Sequence, residues 1–465
     1  MLFQSIGFLF VLLPLFLVSL RLAPPGTARG LVIFFFSYLF YSGNEPFFLV
    51  LLLLSSTLDF FTALRIDRAV TPWGRRGWLI VTLCLNLGLL GFFKYGKMLL
   101  PKLAPLGDWL GLPMPDPELL RSLVLPPGIS FYTFQSMAYS IDVYRGHVRP
   151  ERNYLSFLNY LAYLPQLIAG PIERYAHLSA QLHALVEGKT RPNWSAGLDR
   201  IALGVIQKLL IADHCGLIVN AIADQGRFDS LVSSWTFAFG FGLQIYFDFA
   251  AYTHIAIGLG LLMGVELAEN FLSPYQAPNI QEFWRRWHLS LSTWFKDYLY
   301  FPLGGSRKGR IRTVFNLLVT FLLCGLWHGA GWNFIVWGGL HGALVGGYTL
   351  MRGTRLVTRM PRVVAIALTL VVVHVCWVWF RLHDPEKILV VLKGMIGGHG
   401  LDNGAVSPID GGFLVLVMAG TLLLPNAAQR WPGSAGWWES TLLLGVALAA
   451  LLNIPQIAQF IYFQF

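Results

Sequence analysis

Apolar residues in this chain come in long, nearly uninterrupted blocks. Among them are Phe8 to Leu20, Leu31 to Tyr41, Phe47 to Phe61, Trp78 to Phe93, Val232 to Phe247, Ile255 to Val265, Val314 to Trp327, Ile335 to Leu350 and Val363 to Phe380. With their uncharged flanks, many approach the roughly 20 residues that a bilayer-spanning helix needs. A membrane β-barrel would instead show segments of about ten residues in strict alternation, a pattern these blocks lack. The predicted fold is therefore all-α: a polytopic bundle of about 10 to 12 transmembrane helices, forming one membrane domain over residues 1–465. Leu100 to Pro117 and Gly394 to Gly412 read as loops, since both are punctuated by proline and glycine. The first run, Ile6 to Leu20, has no basic residue before it and no small-residue cleavage site before Arg21. It reads as an uncleaved span rather than a signal peptide.

Composition fixes the solvent. Hydrophobic residues are 55% of the chain and charged residues 12%, about half the charged share of ordinary globular proteins, so most of the surface must meet membrane lipid. The net charge of +10 is concentrated in three loops: Arg65, Arg68, Arg75 and Arg76; Arg307, Lys308, Arg310 and Arg312; and Arg352, Arg355, Arg359 and Arg362. By the positive-inside rule these loops face the cytoplasm. Nucleic-acid binding is the competing account of basic clusters, but each one here abuts a hydrophobic span, and no nucleic-acid partner is expected. Cys84, Cys215, Cys324 and Cys376 each stand singly in apolar sequence, without a pairing pattern.

An ionisable side chain inside a membrane is costly enough to mark function. Asp248, His254, His288, His328 and His341 are of this kind. Around His288, the segment Gln281 to Tyr300 carries Phe283, Trp287, Leu291, Trp294 and Tyr298 at helical spacing, with Glu282, Arg286, Ser290, Thr293 and Asp297 opposite. The spacing predicts one amphipathic helix, interfacial or re-entrant. It either anchors the chain at the membrane surface or lines a cavity with His288 and Ser292.

The next basic loop is followed by a hairpin of two apolar segments, Thr313 to Trp327 and Asn333 to Leu350, which returns to Arg352. Both ends are expected at the cytoplasm, so the turn GAGWN should point away from it. His328 then lies about 24 Å along its helix from Arg312, deep in a core of about 30 Å. Gly329 and Gly331 leave room for a ligand beside its ring. Such a residue is either a hydrogen-bonded core histidine or a proton-transfer group, because an imidazole takes and returns protons near neutrality and burial keeps it neutral, as a base requires. Haem or metal ligation by His328, His341 and His374 is the rival use. No carboxylate or cysteine set has metal-like spacing, so no metal and no bound cofactor is expected.

The strings QEFWRRWHLSLSTWFKDYLYFPLGG and GLWHGAGWNFIVWGGLHG resemble the membrane-bound O-acyltransferase family, in its bacterial branch of polysaccharide O-acetyltransferases. The likeness continues through LPPGISFYTFQSMAYSIDVYRG from Leu125, LPQLIAGPIERY from Leu164, YFDFAAYTHIAIGLG from Tyr246 and the closing FIYFQF. The resemblance implies helices around a funnel and a reaction in which an activated acyl thioester gives its acyl group to a hydroxyl. His328 falls on the family's central histidine, implied to abstract the hydroxyl proton. His288 falls on the second histidine of the WHxS string, implied to orient donor or acceptor from the cytoplasmic side. Relatives usually read FDFSGYSD where this chain reads FDFAAYTH, so Ala250 and His254 replace a small hydroxyl and a carboxylate.

The implied activity is transfer of an acetyl group from acetyl-CoA, as donor substrate, towards hydroxyls of an exported polysaccharide. The protein would be multi-pass in the bacterial inner membrane and work with a periplasmic acetyltransferase or esterase-like partner. D-alanyl transfer from a carrier-protein thioester is the enzyme alternative. A glycan transporter is the third reading, though the sequence lacks the inverted repeats or paired broken helices expected of one. The aromatic segment Phe460 to Phe465 should be buried against the bundle. It is either a docked end or, as related systems suggest, a carrier in which Tyr462 holds the acyl group briefly after His328 removes its proton.

Overall fold

In lipid a backbone amide or carbonyl has no water to bond, and a helix satisfies every such group within one segment. The apolar blocks accordingly fold as helices. The computed structural model describes residues 3, 5–43, 46–109, 111, 124–402, 404–430, 435–453, 458, 460 and 461, and among these all regular structure is helical. Among the described residues, 7 helices are long and apolar enough to cross a membrane, and shorter apolar helices accompany them. Their outer faces carry Phe10, Leu15, Phe35, Leu54, Phe61 and Leu85 uncovered, as lipid-facing surfaces do. The chain is a multi-pass membrane protein.

It divides into two compact units. The first, Met1–Asn193 with Leu259–Leu267, contains α1 (Phe8–Leu22), α2 (Thr27–Ser42), α3 (Pro46–Arg68), α4 (Pro72–Trp109), α5 (Ile129–Arg145), α6 (Tyr154–Leu161) and α7 (Tyr175–Val186). The α4 helix continues through Pro101 and Pro105, so the loop expected from Leu100 starts only beyond Trp109, and most of its remainder lies outside the described residues. Gly128, ahead of α5, has φ 75°, and a Cβ there would stand 2.6 Å from the Leu167 carbonyl oxygen; only glycine fits. Within the apolar α3, Asp59 is held by Thr82 at 2.5 Å, by Asn86 at 2.7 Å and by Ser136 of α5. The sequence reading had passed over this carboxylate.

The second unit, Trp194–Gly258 with Ala268–Phe465, contains α8 (Trp194–Asp224) and most of α9 (Leu231–Leu262). It continues with α10 (Ile280–Trp284), α11 (Leu289–Phe295), α12 (Arg310–His328), α13 (Trp332–Met351), α14 (Arg362–Arg381), α15 (Pro385–Met395), α16 (Pro408–Leu423) and α17 (Trp437–Asn453). The blocks Val232 to Phe247 and Ile255 to Val265, read as separate, lie largely on the one helix α9. The expected hairpin is α12 and α13. Its backbones nearly touch: a Cβ on Gly325 would stand 2.1 Å from the Phe334 carbonyl oxygen, and one on Gly338 2.3 Å from that of Phe321. Between apolar helices in lipid, such small residues permit the close packing that drives association.

The single amphipathic helix expected over Gln281 to Tyr300 is not formed. His288 takes a left-handed conformation, φ 44° and ψ 59°, which ends one helix and begins another. Asn270 makes the break possible. Its Oδ1 accepts the Ser290 N–H at 3.2 Å and the Ser290 hydroxyl at 2.7 Å, capping α11 from a separate loop. The aromatic face is buried in protein, with Phe283, Trp287, Leu291 and Trp294 all inside, so the segment is no surface anchor.

Candidate functional site

His328 is the last residue of α12 and is 5% exposed. Its ring sits edge-on to Trp327, Trp337 and Phe380, with centroids 4.8, 5.1 and 5.1 Å away. Trp327 also meets His288, at 6.4 Å. The two motif histidines thus share one tryptophan. His288 is 1% exposed, lies edge-on to Phe249 at 4.6 Å, and is held by burial at a pKa of about 3, far below the ordinary imidazole range. A buried non-glycine residue with positive φ is uncommon, and such backbone strain clusters at functional sites.

The glycines beside His328 do not leave open space. A Cβ on Gly329 would lie 2.1 Å from the Phe334 ring, and one on Gly331 2.0 Å from Asn333 Oδ1. The ring of Phe334 occupies the room expected for a ligand. Open volume lies elsewhere, in a cavity of about 970 Å³ between the 281–300 segment and the α12–α13 hairpin. Arg285, Lys296, Arg310 and Arg352 line it where the chain is exposed; Trp284, Leu291, Phe295 and Cys324 line it where the chain is buried. Cys324 stands one helical turn before His328. Trp284 joins the cavity to the histidine site, because it packs on Trp337 at 5.8 Å, itself against His328.

The other sequence candidates separate by role. His341 accepts the Trp284 indole N–H at 3.2 Å, which fixes a cavity wall. His374 donates from Nδ1 to the Leu370 carbonyl at 2.7 Å, one turn back on α14. His254 faces the Arg200 guanidinium at 2.7 Å, and Arg200 is also ion-paired with Glu269. Glu269 is thus the carboxylate partner of Arg200, with His254 on the same guanidinium. Burial raises the Glu269 carboxyl above its usual range, opposed by Arg200. Asp248 pairs with Lys208 at 2.7 Å. Tyr462 lies outside the described residues, but Phe460 and Ile461 just before it are buried, as expected of a docked tail. Lys208, Arg200, Glu269 and Asn270 were missed in the sequence. A lysine inside the apolar run ALGVIQKLLIA was a legible signal for the first.

The described residues thus form a membrane-spanning helical protein with two buried histidines on one tryptophan and a cavity lined by cations in its exposed part. The model of "MBOAT, membrane-bound O-acyltransferase family" matches residues 145–382. The chain is 39% identical over 391 residues to the probable alginate O-acetylase AlgI of Pseudomonas putida, covering 82% of this chain and 77% of that one. It is 36% identical over 399 residues to the peptidoglycan O-acetyltransferase of Helicobacter pylori, covering 78% and 73%. To the teichoic acid D-alanyltransferase of Bacillus subtilis it is 29% identical over 248 residues, covering 51% and 62%. The chain belongs to the membrane-bound O-acyltransferase family and is an O-acyltransferase.

Proposed function

We propose that the protein moves an acetyl group from acetyl-CoA in the cytoplasm towards hydroxyls of an exported polysaccharide across the bacterial inner membrane, its spans forming 10 to 12 helices around a funnel, about the number the apolar blocks allow. The observation that carries the reading is the cavity: Arg285, Lys296, Arg310 and Arg352 line its exposed part, and its buried part reaches Cys324, one turn from His328. A nucleotide thioester suits it, since its phosphates attract guanidinium and ammonium groups while its pantetheine arm and acetyl enter the apolar interior. Acetyl is favoured over D-alanine because the relatives matched over most of the chain are named acetyltransferases, whereas the D-alanyl relative is matched over 51% of it.

In the proposed reaction His328 takes the proton from a hydroxyl, the oxygen attacks the thioester carbonyl, and the thiolate leaves. His288 orients the donor or acceptor from the cytoplasmic side as a neutral ring. The first hydroxyl acylated is that of Tyr462, which then yields the acetyl group to the polysaccharide or to a periplasmic acetyltransferase-like partner. Two easier steps replace one difficult transfer. No bound cofactor takes part. His328→Ala should lower polymer acetylation by roughly 10² to 10⁴-fold while acetyl-CoA still binds the purified protein. Near-normal acetyl content with normal protein level would overturn the assignment.

A further inference from the structure

Lys208 lies in an otherwise apolar stretch of α8, is 3% exposed, and sits in the π-helical turn Gln207–Ala212. Such turns mark functional sites more often than chance. Its ammonium stands 2.8 Å from Asp213 Oδ1 and 2.7 Å from Asp248 Oδ1. One ammonium shared by two carboxyl groups leaves each of them with acceptor capacity beyond the ion pair. Backbone amides of the C-terminal segment meet it. Asp248 Oδ2 accepts the Ile461 N–H at 2.6 Å, and Asp213 sits against the amide of Ala458.

The neighbouring side chains tie this contact to the histidine site. Phe460 packs on Phe249 at 5.8 Å and on Tyr252 at 5.2 Å, and Phe249 is the residue edge-on to His288. Adjacent residues of α9 therefore hold the tail's main chain and the motif histidine. A carboxylate that grips an amide fixes where along the chain the tail is held, whatever its side chains. We propose that Lys208, Asp213 and Asp248 form a clamp that sets the register of the C-terminal segment against the histidine pair, as positioning residues for acyl transfer to Tyr462, the next residue in the sequence. This rests on the relay reading above.

Two measurements on purified full-length protein test it, using Lys208→Met, Asp248→Asn and the conservative Lys208→Arg. With labelled acetyl-CoA, acetyl on the C-terminal peptide should form at least roughly tenfold more slowly in Lys208→Met, as a small misplacement of a reacting group allows. Acetyl-CoA binding should be unchanged, and Lys208→Arg should recover most of the rate, which a merely structural defect would not arrange. Separately, a cysteine placed at position 461 should be protected from maleimide in the otherwise native chain and become reactive in Lys208→Met. This second arm needs no chemistry at Tyr462. If the native tail never carries acetyl, the relay reading fails and the maleimide result alone decides the clamp. Should Lys208→Met not fold, Asp248→Asn carries both arms. Unchanged protection of position 461, or tail acetylation at the native rate in the folded variants, would overturn the proposal.

Discussion

Gly325 offers a direct test of whether the α12–α13 hairpin positions His328 for the proposed proton transfer. It faces the other helix one turn before His328, and the Cβ of an alanine would stand 2.1 Å from the Phe334 carbonyl oxygen, 3.0 Å from its carbon and 3.2 Å from Gly338 Cα. All three are backbone atoms, so no side chain can swing aside. Ordinary contact between such atoms needs about 3.5 Å, and the helices must part locally by roughly 1 Å or more. That displacement falls beside His328, where an error of about 1 Å can cost on the order of 10²-fold in rate. Gly325→Ala should therefore lower polymer acetylation by about that factor while the protein is still made and inserted. Gly347→Ala is the control, since nothing lies within 4 Å of its added Cβ. Acetyl content on the polymer, normalised to membrane protein level by immunoblot, reads both. A Gly325→Ala protein with native activity would show that the hairpin contact does not position His328.

Three further outcomes follow from the same site. Arg200 is largely buried and shares Glu269 and His254. Glu269→Gln should cost roughly 3 kcal/mol through the unpaired cation, and adding His254→Asp should restore much of the thermal stability in detergent by returning a carboxylate; no recovery would show that the two positions are not interchangeable. His288 is held at about 3 in the fold against about 6.5 in an unfolded chain. Protons thus bind the unfolded chain first below pH 6.5, and stability falls with falling pH, by about 2 kcal/mol at pH 5 from this residue alone. His288→Gln should flatten that part of the pH–melting curve, and an unaltered slope would refute it. Arg310→Glu with Arg352→Glu should raise the KM for acetyl-CoA by roughly tenfold, more at low salt than at high; an unchanged KM would place the donor elsewhere.

The membrane spans were legible because lipid imposes one requirement on every residue of a long block. A run such as Val363 to Phe380 has no other stable form. The helix limits were less so: α4 carries two prolines near its end, which in the sequence look like the start of a loop. The break at His288 could not be seen in its own neighbourhood, where the spacing from Phe283 to Tyr298 favours an unbroken helix. It depends on Asn270, from a loop outside the motif, which supplies the acceptor for the new helix. The cavity was equally hidden, since its wall is drawn from the 281–300 segment, the basic loop and both hairpin helices.

Gly329 shows how a glycine next to a candidate residue can mislead. A glycine beside a histidine signals that something comes close, and sequence alone does not say whether it is a ligand or another part of the chain. Here it is the Phe334 ring, so the glycine serves packing. On the cavity side, His328 is reached through two edge-on ring contacts, Trp284 on Trp337 and Trp337 on His328. The Trp284 indole is held by His341, a histidine that the sequence offered as a possible haem or metal ligand. His341 thus holds a cavity wall, and the glycines serve the helix pair that carries His328.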